Sequence, residues 1–127
     1  LKGRNILLAE DNDLNAEIAE AILESAGPKI ERVEDGIQCV NRIEKMPADT
    51  YDMILMDIQM PVMDGYDATA RIRRMKDEEK ASIPIIAMTA NAFAEDRQKA
   101  ISTGMNDHVA KPIDMKVLLP VMAKYIR

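Results

Sequence analysis

The segment DMILMDIQMPVMDG, residues 52–65, carries the clearest indication of the fold class. Residues 52–56 have the length of a β-strand and are apolar after Asp52, and Asp57 follows this run directly. A proline then stiffens a turn, and Asp64-Gly65 precedes a segment whose apolar residues recur at helical spacing. The segment therefore predicts a buried strand, a turn and the start of a helix, which together form one β–α unit.

The same alternation of strand and helix continues on both sides of this segment. Apolar runs of strand length separate segments with helical period, as in a parallel sheet that is covered by helices. We predict strands at residues 5–9, 30–34, 52–56, 83–88 and 107–110, and helices at residues 13–26, after Gly36, after Gly65, at residues 91–104 and at residues 114–127. Five such units predict an α/β fold of one domain, a flavodoxin-like (βα)5 doubly wound parallel sheet with strand order 2-1-3-4-5.

Finer features of the elements also follow from the pattern. The first, third and fourth predicted strands are nearly all apolar, so they should be the central ones. The first helix should end at Gly27-Pro28 and present one apolar face. That face would consist of Leu14, Ile18, Ala21, Ile22 and Ser25. The charged residues 76–80 are predicted to form a solvated loop.

Composition excludes several classes of function. The chain has 17 basic and 22 acidic residues, a formal charge of −5, no basic stripe and no Trp, so direct nucleic-acid binding is not expected. Its apolar runs are far shorter than a membrane span, which predicts a soluble domain without membrane contact. The use of a single cysteine predicts that this domain lies in the cytoplasm. Cys39 is the single cysteine and His108 the single histidine, too few for a disulfide or a structural zinc site. Since the chain begins at Leu1 without an initiator Met and shows no signal peptide, residues 1–127 are expected to be one domain of a longer polypeptide.

Polar residues stand at the carboxyl ends of four predicted strands. Glu10 and Asp11 follow the first strand, Asp57 the third, Thr89 the fourth and Lys111 the fifth. Each of them alone is adequately explained as a helix cap, a turn residue or a surface charge. Because the carboxyl ends of parallel strands lie at one edge of the sheet, their coincidence predicts a functional pocket there.

The acidic residues of this pocket indicate a metal ion. Three carboxylates held close together repel one another unless a cation neutralises them. With Lys111 present the formal charge of the pocket is −2, which one divalent ion would cancel. A donor set made only of oxygen favours Mg²⁺, for which Mn²⁺ can substitute, over zinc. Mg²⁺ with so few protein ligands is typical of phosphoryl chemistry.

The remaining question is which group receives the phosphoryl. No Ser-His-Asp or Cys-His arrangement is available, because His108 lies near the end of the fifth strand. A carboxylate nucleophile is left, and Asp57 is the candidate because it ends a central strand. Its attack on phosphorus would give an aspartyl phosphate. Mg²⁺ held by the three acids, with Glu10 acting through water, would balance charge while Lys111 and Thr89 meet the other phosphoryl oxygens.

Four motifs follow one another along almost the whole chain. They are Ala9-Glu10-Asp11-Asn12, Met56-Asp57-Ile58-Gln59-Met60-Pro61 with Met63-Asp64-Gly65, Met88-Thr89-Ala90, and Lys111-Pro112. In this order and at these spacings they resemble the receiver domain of two-component response regulators. The resemblance implies that Asp57 accepts a phosphoryl group, that the backbone carbonyl of Gln59 joins the Mg²⁺ ligands, and that the peptide bond before Pro112 is cis.

The resemblance also implies a partner and a switch. The donor would be a phosphohistidine on a histidine kinase or a histidine phosphotransfer domain, and the aspartyl phosphate would hydrolyse slowly. Phosphorylation would draw Thr89 inward and change the output face, which is compatible with a dimer that forms on phosphorylation. The family carries Tyr or Phe at the switching position where this chain has His108, so His108 is either that switch or an exposed bystander.

Two further points concern the parent protein and the alternatives. Glu10 and residues 88–93 and 105–114 resemble receivers fused to sensor histidine kinases, so the parent would be a hybrid kinase, often anchored in a membrane. One alternative is a pseudo-receiver that serves as a binding or dimerisation module, against which the complete set of polar residues argues. Another is a Mg²⁺-dependent aspartyl phosphatase, which generally needs an acid where Gln59 stands.

Overall fold

Five parallel strands form the centre of the molecule, in the order β2-β1-β3-β4-β5. The computed structural model describes residues 1–90 and 94–127. The strands are β1 (Asn5–Ala9), β2 (Lys29–Val33), β3 (Met53–Asp57), β4 (Ile85–Thr89) and β5 (Asp107–Ala110). The helices are α1 (Asp13–Glu24), α2 (Gly36–Lys45), α3 (Gly65–Arg73), α4 (Glu78–Ala81), α5 (Ala94–Thr103) and α6 (Met115–Tyr125). The predicted fold class and strand order are confirmed.

The three strands predicted to be central occupy the middle of the sheet. Every residue of β3 and β4 is buried, as are the last four of β1. The bounds of β1 and β5 are those predicted, whereas β2 and β3 are displaced by one residue. Strand β4 begins at Ile85 rather than at residue 83, because Pro84 has no N–H to donate to a neighbouring strand. The carbonyl of Pro84 still accepts a hydrogen bond from the Ile54 N–H at 2.9 Å.

Helices cover both faces of the sheet. One apolar cluster joins Leu7 and Ile54 of the sheet to residues of α2, α3 and α5. The other joins Ile6 and Leu8 to residues of α1 and α6. Adjacent residues of β1 therefore enter opposite clusters, as the two-residue period of a strand requires. This arrangement places the carboxyl ends of all five strands at one edge.

Helix α1 packs with a different face from the one predicted. Its buried residues are Ala16, Ala19 and Leu23, whereas Leu14 and Ile18 are 63% and 41% exposed. The prediction followed the largest apolar side chains. Small alanines allow a helix to lie close to a sheet, so the face that carries Ala16, Ala19 and Leu23 packs against the core, while Leu14 and Ile18 remain in solvent.

The helix starts follow the capping residues in the sequence. The side chains of Asn12, Asp35 and Asp64 each accept a hydrogen bond from a backbone N–H in the first turn of α1, α2 and α3. The predicted loop at residues 76–80 is wrong in part, because the Asp77 carboxylate accepts from the N–H groups of two following residues and begins the short helix α4. The predicted start of the fourth long helix at residue 91 lies outside the described residues.

No helix in the part of the chain that the structure describes combines the length and the apolar composition needed to cross a bilayer.

Candidate active site

The structure brings the predicted site residues together in one open cleft of about 860 Å³. Glu10 and Asp11 follow β1, Asp57 and Thr89 are the last residues of β3 and β4, and Lys111 follows β5. All five line the cleft. The cleft lies where strand order reverses between β1 and β3, the position at which open α/β sheets bind their ligands.

Lys111 lines the cleft and contacts two of its acids. Its Nζ lies 3.0 Å from Oε2 of Glu10 and 3.1 Å from Oδ1 of Asp57. Both carboxylates are buried, and the lysine side chain is 19% exposed. Its own N–H donates to the Thr89 carbonyl at 2.8 Å, so the ends of β4 and β5 are held together beside the acids. The peptide bond between Lys111 and Pro112 is cis, as the family resemblance implied.

The acids form a cluster suited to a divalent metal ion. Within the described residues, Glu10, Asp11 and Asp57 each offer a carboxylate oxygen, and these oxygens lie within 4.8 Å of one another. Asp11 is exposed while the other two are buried. An exposed ligand at the mouth and an all-oxygen donor set fit Mg²⁺, which keeps several of its waters when bound.

The backbone around Asp57 is closely packed. The Gln59 N–H donates to Oδ1 of Asp57 at 3.3 Å, and Gln59 itself is exposed and lines the cleft. The Gly65 N–H donates to the Ile58 carbonyl at 2.8 Å. A Cβ at Gly65 would collide with the carbonyl oxygen of Asp57, so glycine is needed here for the start of α3 to pack against β3. The sequence indicated Gly65 only as a helix start, because close approach of two backbones is a tertiary contact.

The electrostatic environment opposes ionisation of Asp57. Burial raises its pKa from 3.8 to about 7, and repulsion from Glu10 adds to this effect, while Lys111 lowers it. Burial lowers the pKa of Lys111, but its hydrogen bonds to Glu10 and Asp57 outweigh burial and raise the pKa overall. The Lys111 ammonium is therefore charged at neutral pH, and the cluster still has an excess of negative charge that a divalent cation would relieve.

We expect this excess charge to make folding stability depend on pH and Mg²⁺. Because the pKa of Asp57 is raised on folding, its contribution to stability is present below about pH 4 and is lost as the pH rises to about 7. Urea denaturation without metal should therefore show a decrease in unfolding free energy over that range that is absent from Asp57→Asn. Mg²⁺ at about 100 times its Kd should raise the free energy of unfolding by about 2.7 kcal/mol near neutral pH. An unfolding free energy that rises equally in both proteins between pH 4 and 7 would contradict this prediction.

His108 lies on β5 and is mostly buried, with 14% of its side chain exposed. Arg97 of α5 donates from Nε to Nε2 of His108 at 3.1 Å. The other ring nitrogen, Nδ1, lies 3.4 Å from Oδ1 of Asp107 and has no hydrogen-bond partner among the residues that the structure describes. The imidazole thus connects β5 to α5 rather than standing free in solvent.

Comparison with known proteins agrees with this site. The family model of the response regulator receiver domain matches residues 6–123. The hybrid signal transduction histidine kinase I of Dictyostelium discoideum is 40% identical over 129 residues, which cover 97% of this chain and 7% of that protein. The chain therefore spans only a small part of the curated relatives that it matches.

Two solved structures are similar over most of their length. The receiver domain of the sensor histidine kinase PA1611 from Pseudomonas aeruginosa, with magnesium coordinated in its active-site cleft, is 43% identical with a TM-score of 0.86, and the match covers 97% of each chain. A complex of the Saccharomyces cerevisiae histidine phosphotransfer protein Ypd1 with the receiver domain of its downstream response regulator Ssk1 contains a chain that is 27% identical, with a TM-score of 0.86. That match covers 96% of this chain and 88% of the other.

Proposed function

This chain belongs to the response regulator receiver domain family, and on that premise we propose that Asp57 is its phosphoryl acceptor in a two-component phosphorelay. One observation carries the proposal. Asp57 is buried at the end of a central strand, 3.1 Å from the Lys111 ammonium and within 4.8 Å of two other acids. A carboxylate placed in this way is a nucleophile whose surroundings can neutralise a phosphoryl group.

The reaction is an in-line transfer to a side-chain oxygen of Asp57. A carboxylate oxygen forms a bond to phosphorus, the P–N bond of phosphohistidine breaks, and the imidazole nitrogen keeps its electron pair. With its other ring nitrogen protonated, the imidazole leaves as a neutral ring. Lys111 can shift from Asp57 to a phosphoryl oxygen because one ammonium carries three donors. Thr89, buried beside Lys111, is proposed to donate its hydroxyl to another phosphoryl oxygen.

We assign the metal site to Glu10, Asp11 and Asp57, with Glu10 acting through water. The backbone carbonyl of Gln59 is proposed as a further ligand. When bound, Mg²⁺ neutralises the charge on the phosphoryl oxygens. The protein's own part is to hold the acids close together and to keep Asp57 away from bulk water, and Mn²⁺ should be able to replace Mg²⁺.

The donor is proposed to be a phosphohistidine on a histidine kinase or a histidine phosphotransfer domain. Two findings support it: the relative from Dictyostelium discoideum is a hybrid histidine kinase, and a structural neighbour is bound to a phosphotransfer protein. We accordingly place the domain in the cytoplasm as part of a longer kinase chain. His108 is proposed as the switching residue, since its contact with Arg97 joins the strand to α5.

Neither alternative has comparable support. A pseudo-receiver would not need Asp57, Lys111 and the other acids in contact around one cleft. An aspartyl phosphatase would need an acid at position 59, where Gln59 has an exposed amide side chain.

The test of the proposed function is phosphorylation by a small phosphodonor such as acetyl phosphate. With Mg²⁺ present, intact-protein mass spectrometry should find one added phosphoryl group that hydroxylamine removes, as expected for an acyl phosphate. A protein that gains no phosphoryl group under these conditions would instead favour the binding-module alternative.

A protein donor should also need the apolar surface beside the cleft. Leu14 and Ile18 are the exposed large apolar residues of α1, and Ile18 lines a small groove together with Lys111, Pro112 and Ile113. Apolar side chains left in solvent next to a reactive group are suited to contact with a docking partner.

We expect Ile18→Glu to lower the initial rate of transfer from a phosphorylated histidine phosphotransfer domain by about tenfold, because a buried anchor of an interface contributes more than 1 kcal/mol. Phosphorylation by acetyl phosphate should be unchanged, since this donor needs no docking surface. The matched control is Ile101→Glu, which changes a residue on α5 that is 49% exposed, compared with 41% for Ile18. Equal losses of rate with both donors would show that the substitution damages the site instead of docking.

A further inference from the structure

Arg32 reaches from the edge strand β2 to the loop that carries two of the acids. Its Nε donates to the backbone carbonyl of Glu10 at 3.0 Å, and its Nη1 lies 2.8 Å from Oδ1 of Asp13. The residues held by the guanidinium stand immediately before and two positions after Asp11. One side chain therefore fixes both ends of the segment from which the exposed metal ligand projects.

The other hydrogen bonds of this loop also hold Glu10 in place. The Glu10 N–H donates to the Val33 carbonyl at 3.1 Å, next to Arg32 in β2. Asn12 donates its N–H to Oε1 of Glu10 at 3.2 Å and caps α1 with its side chain. Glu10 is thus held through its N–H, its carbonyl and its carboxylate, and the contacts of Arg32 complete this set.

Packing alone gives a poor reason for an arginine at this position. Ile30, two residues earlier on the same face of β2, packs against the apolar cluster beneath α1. Arg32 pairs with the buried Leu8 in the sheet and is only 21% exposed. Its Nη2 is buried and has no hydrogen-bond partner among the residues that the structure describes. An unpaired buried donor costs stability, and an apolar side chain here would avoid that cost.

We propose that Arg32 is a positioning residue for the metal site, a role that rests on the proposed function. By holding the Glu10 carbonyl and the Asp13 carboxylate, it sets the direction in which the Glu10 and Asp11 side chains leave the end of β1. Ligands that are already in place lose less conformational freedom when a cation binds, so the affinity for Mg²⁺ is higher.

The positive charge of Arg32 should weaken Mg²⁺ binding, whereas its hydrogen bonds should strengthen it. The sign of the change in Mg²⁺ affinity on substitution therefore tests the inference. A guanidinium near the cluster repels a divalent cation, so loss of its charge alone would strengthen Mg²⁺ binding. Loss of the hydrogen bonds that Arg32 donates would weaken Mg²⁺ binding. Asp13 pairs with the guanidinium and offsets part of the repulsion, so we expect positioning to be the larger effect.

The experiment is isothermal titration of Mg²⁺ into the wild-type protein, Arg32→Met and Arg32→Lys at one ionic strength, with melting midpoints measured without metal. Arg32→Met should raise the Kd for Mg²⁺ about tenfold, the range found for residues that orient metal ligands. Arg32→Lys keeps the charge and the alkyl stem but cannot hold both oxygens, and its Kd should rise about threefold. Arg42→Met is the matched control, since Arg42 pairs with Glu31 and, within the described part of the chain, forms no ion pair with residues 10–13.

The outcomes separate this inference from the proposed function. If Arg32→Met or Arg32→Lys binds Mg²⁺ as tightly as the wild-type protein, or more tightly, the positioning role alone would be overturned. A Kd that changes as much in Arg42→Met as in Arg32→Met would also overturn it. Failure of the wild-type protein itself to bind Mg²⁺ would overturn both the role of Arg32 and the metal site on which the proposed function depends.

Discussion

Asp57→Asn is expected to abolish phosphorylation completely. The amide has nearly the same volume as the carboxylate, but its oxygen is too weak a nucleophile to attack phosphorus. Incubation with acetyl phosphate and Mg²⁺ followed by intact-mass measurement should find no added phosphoryl group. The variant should fold at least as stably as the wild-type protein near pH 7, because it removes a carboxylate whose pKa burial and Glu10 raise to about 7.

A second carboxylate in the same cleft provides the control for this result. Asp96 of α5 lines the cleft but belongs to no contact that we assign to the reaction. Asp96→Asn should therefore still gain one phosphoryl group. Transfer of a hydroxylamine-sensitive phosphoryl group to Asp57→Asn would place the acceptor elsewhere and contradict the proposed function.

Lys111→Met should slow phosphorylation by acetyl phosphate about 100-fold or more, the usual effect of removing one donor to a reacting oxygen. The ammonium contacts both Glu10 and Asp57 and lowers the pKa of Asp57. Without it that pKa should rise further, so a larger fraction of Asp57 is protonated near pH 7 and cannot attack. Initial rates measured by mass spectrometry at several pH values check both effects, and the difference from wild type should narrow as the pH rises.

The same substitution should also destabilise the fold near neutral pH. Loss of a buried partner leaves two acids without their cation and costs about 1–3 kcal/mol. The cost should decrease as the pH falls toward 5, because protonation of the raised Asp57 carboxyl removes the unpaired charge. Urea denaturation at the two pH values measures the difference. Lys116→Met, which removes an exposed ammonium on α6, is the control and should change neither rate nor stability. A loss of stability in Lys111→Met that is independent of pH would contradict the electrostatic explanation.

The sequence predicted the polar edge of the sheet more accurately than it predicted helix packing. The period of α1 is clear from its apolar residues, but two faces compete, one with Leu14 and Ile18 and one with Ala16 and Ala19. Hydropathy ranks the larger side chains first. Which face is buried depends on how closely the helix lies against β1, a distance that residue spacing within α1 does not contain.

Arg32 was not predictable for a similar reason. It stands in the middle of a predicted strand, without the strand-end position that identified Asp57, Thr89 and Lys111. Its contacts with the Glu10 carbonyl and with Asp13 join positions 22 and 19 residues apart in the chain. A contact with a backbone carbonyl cannot be recognised from the sequence, since every residue has such a carbonyl.

The order of the elements, the parallel sheet and the meeting of four strand ends were determined by the sequence alone. Local periodicity identifies strands and helices, and the handedness of parallel crossovers then restricts how they can be arranged. The tertiary structure decided which face of α1 is buried, that Glu10 and Asp57 share one lysine, and how far Asp57 resists ionisation. These properties depend on distances of a few ångström and on exclusion of water by side chains remote in sequence. Electrostatic free energy varies steeply with both, so they cannot be derived from spacing along the chain.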